Sequence, residues 1–183
     1  MSPSSSCLAL ALGSLATILG AVSPAAGEPK RNVLDFSGQG SAFVVKEPPG
    51  WFADSTIARA FGADVIFYPV TGDPHSPGTP LVRVLVMTKA STDTGAELNH
   101  YVNAFRSRYR NFALRDGSAT HPHYRAYSKG FCVQGKFCEY VTYLNPGQRS
   151  NLLLSVTLHR RGHSVASSEL TAYQRVVASL EAN

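Results

Sequence analysis

Histidines, cysteines and a run of cationic and aromatic side chains are the residues of this 183-residue chain that could do chemistry. His121-Pro-His123 and His159-Arg-Arg-Gly-His163 have metal-like spacing, because two histidines four apart on a helix turn both imidazoles to one side. Gly162 and the strand-like run before His159 predict a turn instead, and no Glu or Cys completes a set of three or four donors. These histidines are expected at the surface, and no metal site is predicted. Neither a G-x-S-x-G elbow nor an ordered Ser, His and Asp set predicts a nucleophile. Asp35, Asp54, Asp64, Asp73, Asp93 and Asp116 fall in or beside predicted turns, where Asp serves to bind backbone amides. The sequence thus predicts no catalytic residue and no cofactor. A hydrolase or metal-dependent enzyme using His121, His123 and the turn around His163 is the alternative class.

Cys132 and Cys138 lie in FCVQGKFCEYVTYL, whose far side alternates apolar and polar residues. Two strands meeting at a turn around Gly135 would set the cysteines opposite each other, which predicts a disulfide. A redox pair or half a metal site are the functional readings of the same residues. Five intervening residues fit neither C-x-x-C nor the usual zinc spacing.

Basic and aromatic residues interleave from Arg106 onward: Arg108, Tyr109, Arg110 and Arg115, then His121, His123, Tyr124, Arg125, Tyr127 and Lys129. Such a strip combines charge with stacking surfaces and suits an anionic partner. The candidate binding residues are Arg106, Arg110, Arg115, His121, His123, Tyr124 and Arg125. The plain alternative is a solvated helix face beside aromatic core positions. A formal charge of +5, from 17 Lys and Arg against 12 Asp and Glu, points the same way as the strip without naming a partner.

Residues 1–27 contain no Asp, Glu, Lys or Arg, so all formal charge lies in residues 28–183. The run CLALALGSLATILGAV at 7–22, followed by Ala25-Ala26-Gly27, predicts a secretory signal cleaved before Glu28 and one domain over 28–183. Its opening MSPSSS lacks the customary basic residue, and an uncleaved anchor is the second reading. Against an anchor, the apolar run falls short of the ~20 residues a spanning helix needs. No stable membrane span is expected once the leader is removed. Export predicts a periplasmic or secreted protein and agrees with a disulfide. It removes nucleic acid from the partners, leaving an envelope protein or an anionic envelope polymer; a secreted immunity or chaperone-like role is a further possibility.

The elements that must position these residues are readable from periodicity. VLDF at 33–36 and AFVV at 42–45 flank SGQG and predict a hairpin. Trp51-Phe52 follows a Pro-Pro-Gly break onto the core edge, 63–68 predicts a strand, TGDPHSPGTP at 71–80 an exposed loop, and LVRVLVM at 81–87 a central strand. Leu98, Tyr101, Val102, Phe105 and Tyr109 share one face of a helix predicted over 95–110. Thr94 and Glu97 fit a capping box at its start. The cysteine hairpin at 131–144, a turn at 145–148 and the strand LLLSVTL at 152–158 predict a meander. A terminal helix at about 167–181 carries Leu170, Tyr173, Val176, Val177 and Leu180.

Strands, a helix, a meander and a last helix predict an α+β domain with helices packed on an antiparallel sheet. The strings PPGWF, DVIFYP, LVRVLVM, YVTYL, LLLSVTL and AYQRVVASL, in this order over roughly residues 40–181, resemble exported bacterial proteins of the PsbP/Mog1-like superfamily. The resemblance implies an α-β-α sandwich and a mostly non-catalytic superfamily of binding, assembly and chaperone-like modules. It rests on core strings and supplies no functional residue.

Overall fold

The computed structural model describes residues 33–38, 41–115, 117–147, 150–162 and 164–182. The leader predicted over 1–27, its junction before Glu28, Asp116 and His163 lie outside them. In chain order the elements are β1 (Val33–Gly38), β2 (Ser41–Lys46), β3 (Trp51–Asp54), a 3-10 turn (Ala58–Phe61), β4 (Val65–Pro69), β5 (Leu81–Thr88) and α1 (Thr94–Arg108). There follow β6 (Phe112–Arg115), β7 (Arg125–Val133), β8 (Phe137–Asn145), β9 (Leu152–Arg161), α2 (Ser167–Ser179) and β10 (Glu181–Ala182).

A seven-stranded antiparallel sheet runs β3-β4-β5-β9-β8-β7-β6, and a smaller sheet runs β1-β2-β10. Strand alternation fills both faces of the larger sheet. Val82, Val84, Leu144, Leu154, Val156 and Leu158 face one side, where Tyr173, Val176, Val177 and Leu180 of α2 and Phe43 and Val45 of β2 complete the larger core. Phe131, Val141, Tyr143 and Leu153 face the other, under Leu98 and Val102 of α1. This is the α+β arrangement expected from the sequence, a sheet between helices, with β5 inside it and β7-β8-β9 as the predicted meander. Cys132 and Cys138 stand directly opposite in the β7/β8 register and are joined by a disulfide. Gly135, at φ 71°, turns the hairpin above them.

Several local readings need correction. Asp93, not Thr94, caps α1, its carboxylate accepting from the Ala96 amide at 3.0 Å; a carboxylate suits the positive end of the helix dipole better than a hydroxyl. Thr94 is turned inward, where Oγ1 accepts from Asn145 Nδ2 at 3.1 Å, and Glu97 binds the Ser91 amide. The helix stops at Arg108 because Tyr109 is extended, its ring set against Phe105 and Phe137. The four-residue β6 that follows was not predicted, and neither was β10. Glu169 reaches back to the Ala166 amide at 3.0 Å and starts α2.

The end of the chain is tied down through His121, which is half-buried rather than at the surface. Its Nδ1 accepts from the amides of His123 at 3.1 Å and Tyr124 at 2.9 Å, so Nε2 carries the proton and donates to the Leu180 carbonyl at 2.8 Å. The Tyr124 ring stacks on the imidazole, and its hydroxyl accepts from the Ala182 amide beside the β10–β2 pairing.

Two measurements check these ties. Replacing both cysteines with Ser is expected to lower stability by about 1–3 kcal/mol without unfolding the domain; denaturant unfolding that is unchanged, or two free thiols in protein taken from its native compartment, would contradict the bridge. Burial, and secondarily His123, hold the His121 imidazole below its usual value, with the Leu180 carbonyl opposing. The folded state prefers neutral His121, so its stabilising contribution is intact above about pH 6.5 and is lost as pH falls from there through the depressed folded-state value. Urea unfolding at pH 7.5 and 5.0 should show a smaller acid loss in His121→Gln than in the native chain. Equal losses would rule the linkage out.

Candidate functional site

The residues of the cationic strip do not gather in one place. Arg106 sits in the last turn of α1 with its guanidinium carbon 5.6 Å from the Phe112 ring centroid. Arg110 follows, exposed in the turn beyond the helix, so it is not the helical i+4 neighbour of Arg106 that the sequence suggested. Arg115 ends β6 on the opposite sheet face from Phe112, its Cβ beside Gly130 and Tyr140. His121 and Tyr124 are on that far side too, packed against the end of α2, with His123 exposed next to them. Arg125 begins β7 and lies 5.0 Å over Tyr127. The length of β7, roughly 27 Å at 3.4 Å per residue, separates it from the Arg106 end. Arg106 and Arg110 therefore share the C-terminal end of α1, and the others lie elsewhere.

Both ring nitrogens of His121 are committed to backbone groups, which leaves none for a metal. Among the described residues no three His, Cys, Asp or Glu side chains come together as metal ligands. Asp54 and Asp73 bind amides two residues ahead, as expected, and Asp64 extends the β4/β5 ladder by accepting from Val86.

A cleft opens beside the C-terminal half of α1, with a volume of about 570 Å³. Its aromatic walls are Tyr101, Phe105, Tyr109 and Phe137; Arg83, His159, Lys136 and Arg161 bring positive or protonatable groups. Strand register explains the assembly. Glu139 of β8 pairs with His159 of β9, Phe137 pairs with Arg161, and Arg83 of β5 lies one step along, all on the α1 side of the sheet. Glu139 has a side chain only 3% exposed. It accepts from the Tyr101 hydroxyl on Oε1, and from Arg83 Nη2 at 3.2 Å and His159 Nδ1 at 3.0 Å on Oε2. Burial first, and the Glu139 charge second, hold the Tyr101 phenol far above its usual value, so it remains a proton donor. At the rim Lys136 lies 4.9 Å over the Tyr109 ring, and Phe137 stacks on His159 at 5.3 Å.

Of this cluster only His159 stood out in the sequence, for its spacing to His163, although a signal for the rest was present. A charge inside an apolar strand must find a partner or leave the core, and Arg83 interrupts LVRVLVM just as Glu139 interrupts the strand after Cys138. What periodicity could not supply was the register that sets β8, β9 and β5 side by side.

No protein-family model matches the chain, and comparison with curated protein sequences finds no match. Solved structures do match. LpqN of Mycobacterium tuberculosis, described as involved in cell envelope biogenesis, superposes with a TM-score of 0.51 at 15% identity, over 86% of this chain and 87% of LpqN. Cyanobacterial PsbP (CyanoP) of Synechocystis superposes with a TM-score of 0.50 at 15% identity, over 90% of this chain and 100% of CyanoP. With its seven-stranded antiparallel sheet between α1 and α2, this chain has the PsbP-like α-β-α sandwich fold.

Proposed function

We propose that the protein is an exported, non-catalytic accessory module, periplasmic or secreted, that engages a partner protein or an anionic envelope component through the C-terminal end of α1. The observation that carries this reading is the convergence of cations from separate elements on one aromatic surface: Arg106 over Phe112, Lys136 over Tyr109, with Arg110 and Arg161 exposed nearby. Glu139, the one carboxylate among the residues lining the adjoining cleft, is buried under its three donors. The surface thus presents positive charge on a rigid aromatic backing, which suits a negatively charged face. Export is supported by the charge-free leader and by the disulfide. The shared fold of an envelope-biogenesis protein is compatible with work in the same compartment. Among the described residues no helix is long and apolar enough to cross a membrane.

Mature protein recovered from the envelope fraction is expected to begin at or near Glu28 by intact mass. Full-length protein in the cytoplasm would overturn the compartment. Capture of an acidic partner or polymer by the native chain should fall steeply with added salt, since exposed charges are screened, and Arg106→Glu with Arg110→Glu should abolish it while leaving the fold intact. Capture that ignores salt, or a double variant that binds as well as the native chain, would move the binding surface elsewhere.

A further inference from the structure

We propose that the cleft beside α1 is a specific site for a small carboxylate carried on a flat ring, adjoining the macromolecular surface at Arg106 and Arg110 and sharing Lys136, Tyr109 and Arg161 with it. Glu139 is buried, but the two bases on it are not: the Arg83 side chain is 29% exposed and that of His159 23% exposed, and both line the cleft. Arg83 has five N–H donors; among the described residues one, on Nη2, is used, and since Nε is buried the donors open to the cleft are the others on its two Nη nitrogens. His159 spends Nδ1 on Glu139, and nothing among the described residues binds its Nε2. Glu139 takes no part in facing a ligand: its oxygens hold Tyr101, Arg83 and His159 and so fix the direction in which the free donors point.

Charge and shape then specify the occupant. Arg83, Lys136 and Arg161 outnumber the single carboxylate, so the cleft keeps a positive surplus even with Glu139 ionised. An oxyanion can be met by the open part of the Arg83 fork, planar and suited to a carboxylate, with Arg161 and Lys136 at the mouth. The half-buried rings of Tyr101, Phe105, Tyr109 and Phe137 offer apolar faces to the body that carries it, and Phe137 already stacks on His159. Cations at one end and rings along the walls make a carboxylate on a ring the best complement; a bare inorganic anion would leave the walls unused, and a cationic ring would meet repulsion.

Benzoate, inorganic phosphate and benzamidine separate these chemistries when titrated into the full mature chain and followed by amide NMR. Benzoate is expected to shift the amides of Arg83, Glu139, His159 and Arg161 with saturation, phosphate to do so more weakly, and benzamidine not at all. Arg161→Met and Lys136→Met change exposed rim residues and should each weaken benzoate by about two- to fivefold, the scale of a solvent-exposed ion contact. Glu139→Gln gives a sign that a packing role would not: it removes the charge that offsets Arg83 and should tighten benzoate severalfold. If that variant fails to fold, the two rim variants decide. Equal shifts from benzamidine, phosphate binding as tight as benzoate, or benzoate binding indifferent to both rim substitutions would overturn the proposal. Arg106→Glu with Arg110→Glu replaces no cleft-lining residue and should leave saturable benzoate binding, weakened no more than by a rim variant, because exposed charges are screened. Loss of partner capture and loss of benzoate binding are therefore distinguishable.

Discussion

A sheet buried on both faces leaves no side on which to discard a polar group, and Glu139 sits within that constraint. On β8 the period of two gives Cys138, Thr142 and Leu144 to the α2 side and Phe137, Glu139, Val141 and Tyr143 to the α1 side. Slipping the strand by one residue would exchange these sets and carry the carboxylate to the α2 side, away from Arg83, His159 and Tyr101. The Glu139–His159 pairing and the Arg83 contact thus select one register for β8 against β9 and β5, while the disulfide selects it for β8 against β7. The cost of burying the charge is offset by three donors, and removing any one of them would leave part of that cost uncompensated.

The opposite face is organised by a different rule. Its fully buried side chains are apolar apart from Thr142 and Tyr173, whose hydroxyls bond each other while Thr142 also bonds Ser128, so stability there comes mainly from area removed from water. Specificity of closure comes from the chain end. His121 gathers two amides of its own loop and the last carbonyl after α2, and β10 then adds to β2. Two polar clusters therefore divide the work, one fixing strand register under α1 and one fixing where β10 joins the small sheet.

What was legible in the sequence was what periodicity encodes. The apolar stripes of α1 as far as Phe105 and of α2, the apolar runs of β5 and β9, the alternation of β8, and a cysteine pair flanking a glycine turn each report a local geometry, and each appears where it was expected. The misses share a cause, in that tertiary partners decided them. Asp93 outcompeted Thr94 as a cap because Asn145 draws Thr94 inward; α1 ended early because Tyr109 is held by Phe105 and Phe137; β6 and β10 are too short to show alternation and exist through pairing with β7 and β2. The strip from Arg106 to Arg125 was contiguous in sequence, yet the sheet lies between Arg106 and the Arg115, His121 and Tyr124 group, and the length of β7 lies between Arg106 and Arg125.

The cations at the end of α1 invite a simpler account, since a helix C-terminus carries partial negative charge and favours basic residues within its last turn. That account covers Arg106 and Arg108, which lie in that turn. It does not reach Lys136, which comes from the β7–β8 turn, or Arg161, which ends β9, and neither is held by a carboxylate among the described residues. Nor does it explain Arg83, rising from the sheet floor with donors to spare. Helix stabilisation needs one or two charges on the helix itself. Four elements bring positive groups to the same aromatic corner; Glu139 pairs with Arg83, while Arg106, Lys136 and Arg161 meet no carboxylate among the described residues, and theirs is the surplus that the proposed surface uses.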